Sequence, residues 1–110
     1  MSIGNSNLNL KKESESIRKL HPTKVPIILS SGKNGPVIKK NKYLVHNELT
    51  IGQFIHTVRK KLNIDHTTAL FLLIDNKIVV CSKTMEDIYK EFQHEDGFVY
   101  GVIVHESTFG

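Results

Sequence analysis

The sequence predicts a single α+β domain in which one β-sheet carries its main helix on one face. The chain has 110 residues, of which 39% are hydrophobic, enough for one core and too few for two. One segment repeats apolar residues at a helical period, and several short runs are typical of strands. The predicted order is helix, β, β, long helix, β, short β, short helix, β. That order favours a sheet covered by a crossing helix.

The N-terminal segment is predicted to have two parts. Residues 1–10 are rich in Asn and Ser and are expected to form a flexible arm. Residues 11–21 are expected to form a helix that ends near His21, because the residue before a proline is pushed out of the helical region. Ile17 and Leu20 are predicted to share one side of this helix. Residues 11–110 would form the domain, with a C-terminal tail over 105–110.

Four longer apolar segments and one short segment are predicted to be strands. KVPIILS and KYLVH are separated by SGKNGP, whose glycines, Asn and Pro are typical of turns. Pro26 in the first segment indicates either a sheet edge or a position whose missing N–H is not needed for pairing. ALFLLI is turned by DNK into a short run, IVVC. GFVYGVIVH is apolar on both faces, which favours a central strand.

Two helices carry recognisable N-terminal signals. The apolar residues of TIGQFIHTVRKKLNI recur every 3.6 positions, and Thr50 and Gln53 have the spacing of a capping box. Thr84 is the predicted N-cap of a shorter helix. Two hairpin strands, a crossing helix and returning strands make the β-grasp, or ubiquitin-like, arrangement. The predicted fold is therefore a ubiquitin-like β-grasp with an N-terminal helical addition.

The composition narrows the classes of function. The longest apolar run is too short to span a bilayer, and the opening residues lack the apolar core of a secretory signal, so a cytoplasmic location is expected. Residues 1–61 hold twelve Lys and Arg against three acids, whereas the remainder holds three Lys against eight acids. Such a basic region suits acidic peptides, anionic lipid or nucleic acid. Nucleic acid is disfavoured because aromatic residues are 7% and do not alternate with basic ones.

No catalytic constellation is visible in the sequence. The six histidines are scattered without a zinc spacing, so no metal or cofactor is expected. Cys81 is interpreted as a half-buried thiol at a strand end, since nothing nearby would activate it. Gly32 and Lys33 lack the earlier glycine of a phosphate-binding loop. The chain is predicted not to be an enzyme.

The stretch KNKYLVHNELTIGQFIHTVRKK suggests a peptide-binding site. If Lys42–Val45 forms an exposed edge strand, its backbone can pair with an extended peptide while basic side chains stand beside it. An acidic peptide with two apolar anchors would complement it. In the alternative interpretation, the apolar residues are only core and the lysines protect the edge from aggregation. The residues alone do not choose between the two.

Four stretches, IRKLHPTKVPIIL, KYLVHNELTIGQF, DGFVYGVIV and ESTFG, resemble in order and spacing the ubiquitin-like autophagy modifiers. This is the autophagy-related protein eight family, which includes the microtubule-associated light-chain-three and GABA-receptor-associated proteins. The resemblance implies conjugation of Gly110 to phosphatidylethanolamine by ubiquitin-like activating and conjugating enzymes, and processing by a cysteine protease. It also implies a monomer that is cytoplasmic until lipidation places it on autophagosome membranes.

The resemblance further implies that receptors bind through aromatic-x-x-aliphatic motifs with acidic flanks. The aromatic pocket would be formed by Glu13, Ile17, Pro26, Lys42, Leu44 and Phe98. The aliphatic pocket would be formed by Tyr43, Val45, Leu49, Phe54 and Val58. Lys24, Lys42 and Arg59 would meet the peptide's acids or backbone.

Two residues depart from the family pattern. His46 stands where proline is usual, and Thr57 stands where a larger apolar residue is common, so the aliphatic pocket is expected to be wetter. The N-terminal extension lacks an obvious first helix, which leaves tubulin contact and membrane tethering open. Two alternatives remain: a protein-conjugated modifier of the autophagy-related protein twelve type, and an unconjugated peptide-binding or microtubule-associated module.

Overall fold

The computed structural model describes residues 2–32, 35–38 and 41–105. They form three helices and five strands. In chain order these are α1 (Ser2–Leu20), β1 (Lys24–Ser31), β2 (Lys42–His46), α2 (Ile51–Leu62), β3 (Leu70–Ile74), β4 (Lys77–Ile78), α3 (Met85–Phe92) and β5 (Val99–His105). This order matches the prediction, and the ubiquitin-like α+β class is confirmed.

The five strands make one mixed sheet in the order β2-β1-β5-β3-β4. β1 and β5 run parallel, and the other neighbouring pairs are antiparallel. The last strand, β5, is central, as its two apolar faces predicted. β2 lies at one edge of the sheet, which confirms the edge on which the peptide-binding hypothesis depends.

The main core lies between one face of the sheet and helices α2 and α3. Alternate residues of each strand point into it, as the two-residue period of a strand requires. The buried cluster consists of Val25, Ile27, Leu29, Tyr43, Val45, Ile51, Phe54, Ile55, Val58, Leu70, Leu72, Ile74, Val79, Met85, Ile88, Val99 and Ile103. Leu44 alternates with two of these residues, so it points to the opposite face, where α1 lies. Phe98 is also buried but outside this cluster.

The N-terminal helix is longer than predicted. It begins at Ser2, whereas a flexible arm was expected over residues 1–10 and a helix only from residue 11. Once residues 11–20 are helical, adding a residue costs far less than starting a new helix, so weak helix formers such as Asn and Ser are tolerated. Leu20, which was predicted to share one side of the helix with Ile17, is the last residue of α1 and is 74% exposed. Ile17 is half-buried.

Helix α2 begins and ends as its sequence predicts. The Thr50 side chain accepts the Gln53 N–H, and the Gln53 side chain accepts the Thr50 N–H, which completes the capping box. The helix ends at Asn63, whose left-handed backbone has φ of 58°. Thr84 caps α3 by accepting the Asp87 N–H, also as predicted. The Thr50 cap fixes the start of α2, which is the helix that packs against β2.

The hairpin after β3 is shorter than predicted. Asp75 and Asn76 form its turn with positive φ, and pairing covers only Lys77 and Ile78. The chain then leaves the sheet, so Val80 is 61% exposed. Cys81 is exposed in the following turn, which corrects the prediction of a half-buried thiol at a strand end.

Pro26 does not mark an edge, because β1 lies between β2 and β5. Residues 23 and 47 are hydrogen-bonded across β1 and β2, as are 29 and 41, so the alternating pattern directs position 26 away from β2. On the other side, pairing with β5 starts only at Ile27. The second of the two predicted explanations therefore holds: the missing N–H is not needed.

Candidate peptide-binding site

Strand β2 presents backbone groups to the open edge of the sheet. Asn41 accepts the Leu29 N–H, and Asn47 donates to Thr23, so the odd-numbered positions of β2 bond to β1. In an antiparallel pair the intervening residues direct their N–H and C=O to the other side. The backbone groups of Lys42 and Leu44 consequently face the edge, where an extended peptide could pair with them.

A cleft of about 500 Å³ lies along this edge on the α1 side. It is lined by Glu13, Ile17, Lys42, Tyr43, Leu44, Lys61 and Phe98. The prediction for the aromatic pocket named five of these residues. Pro26, the sixth residue of that prediction, is buried in β1 opposite Leu44 and is not part of the lining. Leu44 is 46% exposed and offers apolar surface to the cleft.

The charges at the cleft come from three elements. Lys42 Nζ lies 2.9 Å from Glu13 Oε1 and 6.0 Å from the centre of the Phe98 ring. The two charged side chains are 46% and 42% exposed, so this ion pair contributes little to stability, about 0–1 kcal/mol. Its lysine can therefore exchange Glu13 for an acidic group of a ligand at little cost.

Lys61 is a cleft residue that the prediction missed. It lies near the end of α2 with its Nζ 5.5 Å from the centre of the Tyr43 ring. The helical period contained the signal, because position 61 falls seven residues after Phe54 and three after Val58, on the same stripe. Lys61 was not predicted as a site residue because the prediction used only the apolar positions of the stripe. Lys61 adds positive charge where the edge meets α2.

The residues predicted for the aliphatic pocket lie on the other side of β2, against α2. Tyr43, Val45, Phe54 and Val58 are buried, and Leu49 is partly buried against the same core. The Tyr43 and Phe54 rings meet edge to face with centres 6.0 Å apart. Burial also raises the pKa of the Tyr43 hydroxyl. The structure thus brings these residues together, but as a packed layer that a ligand side chain would have to part.

Arg59 and Lys24 were also predicted to contact the peptide, but they do not line the cleft as Lys42 does. The Arg59 guanidinium donates to the carbonyls of Asp65 and Thr68 at 2.9 and 2.6 Å, so it holds the loop that follows α2. Lys24 is half-buried opposite His46 in the β1–β2 register, and its carbonyl accepts from the Arg18 guanidinium. Arg59 is therefore engaged within the protein, and Lys24 lies near one end of the edge.

The two departures from the family pattern have local structural consequences. The Thr57 side chain is exposed, and its hydroxyl donates to the Gln53 carbonyl at 3.2 Å, within the helix. His46 Nδ1 accepts the Glu48 N–H at 3.2 Å and so orders the turn after β2. Its own N–H points to the open edge by the alternation described above. A proline at this position would lack that donor, so His46 lengthens the edge by one group.

The predicted conjugation residue, Gly110, lies outside the described residues, as does most of the 105–110 tail. Within the described ranges, His, Cys, Asp and Glu form no group of three that could hold a metal ion. None of the helices in the described part of the chain is long and apolar enough to cross a membrane.

Comparison with known proteins places this geometry in a family. Residues 9–110 match the family described as Autophagy protein Atg8 ubiquitin like. The chain is 38% identical to Autophagy-related protein 8h of Arabidopsis thaliana over 101 residues, covering 90% of this chain and 85% of that protein. It is 37% identical to Autophagy-related protein 8 of Mycosarcoma maydis over 102 residues, covering 91% and 86%.

A solved structure gives the same result. The crystal structure of Trypanosoma brucei ATG8 superposes with a TM-score of 0.88 at 32% sequence identity, covering 94% of this chain and 91% of that one. The superposition and the family match both include nearly the whole chain. This chain therefore belongs to the Atg8 family of ubiquitin-like autophagy proteins.

Proposed function

We propose that this Atg8-family protein is a non-enzymatic modifier, joined through Gly110 to phosphatidylethanolamine, that recruits receptor peptides along the β2 edge. The observation that carries the recruiting half is an edge strand with outward backbone groups, flanked by an apolar cleft with lysines at its rim. An extended ligand gains backbone hydrogen bonds from such an edge and specificity from the flanking pockets.

The proposed ligand is an acidic peptide containing an aromatic-x-x-aliphatic motif. Side chains three residues apart on a strand point to opposite faces. An added strand at the β2 edge would therefore direct its aromatic anchor to the α1-side cleft and its aliphatic anchor to the α2 side. Lys42 and Lys61 would attract acidic groups that flank the motif. The cleft of about 500 Å³ is large enough for one aromatic side chain.

The proposed conjugation makes an amide from the Gly110 carboxylate. An activating enzyme would form the acyl adenylate from ATP and release pyrophosphate, and a cysteine thiol would then displace AMP to give a thioester. After transfer to a conjugating enzyme, the lipid amine displaces the thiol. Glycine suits the step because it has no Cβ to obstruct a narrow channel. A cysteine protease would process the tail and reverse the conjugation.

The attached lipid would decide where the protein resides. Two acyl chains contribute about 0.8 kcal/mol for each buried CH₂, which is enough for stable anchoring. We therefore propose a cytoplasmic form and a form on the autophagosome membrane. The excess of Lys and Arg in residues 1–61 would add attraction to anionic headgroups.

Calorimetric titration with two synthetic peptides tests the recruiting half. One peptide carries acidic flanks and a Trp-x-x-Leu motif, and the other has the same composition with the spacing shortened to Trp-x-Leu. The shortened spacing places both anchors on one face, so it is expected to bind at least tenfold more weakly. Equal affinities for the two peptides would reject strand addition at this edge.

Reconstitution with activating and conjugating enzymes of the family, ATP and phosphatidylethanolamine liposomes tests the conjugating half. Intact-mass analysis is expected to show an adduct of one lipid on the wild type and none on Gly110→Ala. Lipidation of the variant would reject the tail mechanism. An isopeptide on a protein lysine instead of a lipid adduct would favour the protein-conjugated alternative.

A further inference from the structure

Ser14 joins α1 to the turn that precedes β5. Among the residues that the structure describes, Ser14 is the one polar residue that is buried, with 2% of its surface exposed. Its Oγ lies 2.5 Å from the Asp96 carbonyl oxygen and 3.0 Å from the Lys11 carbonyl oxygen. The second of these contacts lies within α1, whereas the first spans 82 positions of sequence. Ser14 is thus a polar attachment of the helix to the rest of the domain.

The partner turn is built to accept this serine closely. Gly97 has φ of +86°, a conformation that residues with a Cβ rarely adopt. A Cβ at this position would overlap the Ser14 hydroxyl oxygen and lie 2.9 Å from the Ser14 Cβ. Glycine is therefore needed at position 97 both for the turn itself and for the approach of α1.

The same turn orients a wall of the peptide cleft. The Asp96 carboxylate accepts the Phe98 N–H at 2.9 Å and the Tyr100 hydroxyl. Its carbonyl meanwhile accepts from Ser14, so one residue fixes both the helix and the start of β5. Phe98, two positions later, lines the cleft.

The opposite wall belongs to α1, on either side of the serine. Glu13 precedes Ser14 directly, and Ile17 follows it by one helical turn; both line the cleft. Farther along α1, Arg18 donates to the Lys24 carbonyl and lies 4.6 Å from the centre of the Tyr89 ring. Arg18 therefore holds the C-terminal end of the helix, while Ser14 holds the part that forms the cleft.

We propose that Ser14 is a positioning residue for peptide recognition. By attaching α1 to the Asp96–Gly97 turn, it sets the gap between Ile17 and Phe98, and that gap selects a flat aromatic anchor. The proposal rests on the proposed function, because it assumes that the cleft receives the aromatic side chain. Ser14 does not line the cleft, so it would act on specificity without contacting the ligand.

The test compares Ser14→Ala with Ser16→Ala, which makes the same change at an exposed serine of α1. Two peptides with acidic flanks are titrated into each protein, one with Trp and one with Leu at the aromatic anchor position. The measured quantity is the ratio of the two dissociation constants. This preference for Trp is expected to fall severalfold in Ser14→Ala, because a helix that is no longer attached to the turn lets the gap vary, and to stay unchanged in Ser16→Ala.

Gly97→Ala approaches the same gap from the other side while keeping the serine, and it is expected to lower the same ratio. Methyl NMR spectra of each variant report on the Ile17 resonances and on whether the core remains folded. Weak binding of both peptides by the wild type would reject the proposed function. Tight binding with an unchanged ratio in both Ser14→Ala and Gly97→Ala would overturn the positioning role alone.

Discussion

Replacing Leu44 with alanine is expected to weaken peptide binding while leaving the protein folded, with its free energy of unfolding lower by about 1–2 kcal/mol. Leu44 is 46% exposed and lines the α1-side cleft. Full burial of a leucine side chain contributes about 1.5–3 kcal/mol. A bound anchor would cover the part that solvent now reaches, so truncation is expected to cost about 1 kcal/mol of binding. That cost corresponds to a rise in Kd of about fivefold.

The assay is calorimetric titration with the acidic Trp-x-x-Leu peptide. Leu20→Ala is the matched control, because it makes the same change at a residue that is 74% exposed at the end of α1 and does not line the cleft. Its Kd is expected to stay within about twofold of the wild type, as for near-neutral positions around an interface. Urea unfolding of both variants measures any change in the stability of the free protein.

Two results would refute the reasoning. If Leu44→Ala binds as tightly as the wild type, the cleft beside β2 does not receive an anchor. If Leu20→Ala weakens binding equally, the effect comes from α1 or from general loss of apolar surface. A large fall in the unfolding free energy of Leu44→Ala would instead place the effect in folding.

Three further predictions concern charge, packing and pH. Lys42→Glu is expected to weaken binding of the acidic peptide by about 1–3 kcal/mol and to reduce its salt dependence; an unchanged salt slope would contradict it. Gly101→Ala should lower the melting temperature by several degrees, since its Cβ would lie 2.7 Å from a leucine methyl carbon in the core, whereas Gly52→Ala, with 3.5 Å to its nearest neighbour, should not. Burial and the hydrogen bond to Asp96 raise the pKa of Tyr100, so its contribution to stability is complete below about pH 10 and is lost as pH rises above it. Between pH 8 and pH 11 the free energy of unfolding, measured with urea, should therefore fall less in Tyr100→Phe than in the wild type.

The fold followed from the sequence where local signals and burial agreed. The capping box of Thr50 and Gln53 and the 3.6-residue period placed α2 correctly, and the doubly apolar β5 was placed at the centre of the sheet. The helix start was wrong because Asn and Ser lower helix propensity by only tenths of a kcal/mol, which an existing helix tolerates. Leu20 shows a second limit of prediction. A helical period indicates which residues share one side of a helix, but not how far the sheet against that side extends.

The candidate site was predictable in its edge strand and less so in its charges. Alternation along KYLVH separates residues that face the core from residues that face the cleft, and the structure has this alternation. The contacts of Arg59 could not be predicted from the sequence. Its partners are backbone carbonyls of a loop, and every residue type has such a carbonyl. Ser14 was missed for a similar reason: its hydrogen bond to Asp96 joins positions that are adjacent only in the folded chain.

The alternating backbone of β2 permits a test of strand addition that leaves every side chain intact. A peptide paired with Lys42 and Leu44 would direct the N–H groups of alternate residues to the edge and the others to solvent. Methylating a nitrogen that faces the edge removes a donor and adds a steric clash, so Kd is expected to rise at least tenfold, whereas methylation at the intervening residues should have little effect. Loss of affinity that does not alternate along the peptide would mean that the anchors bind without pairing.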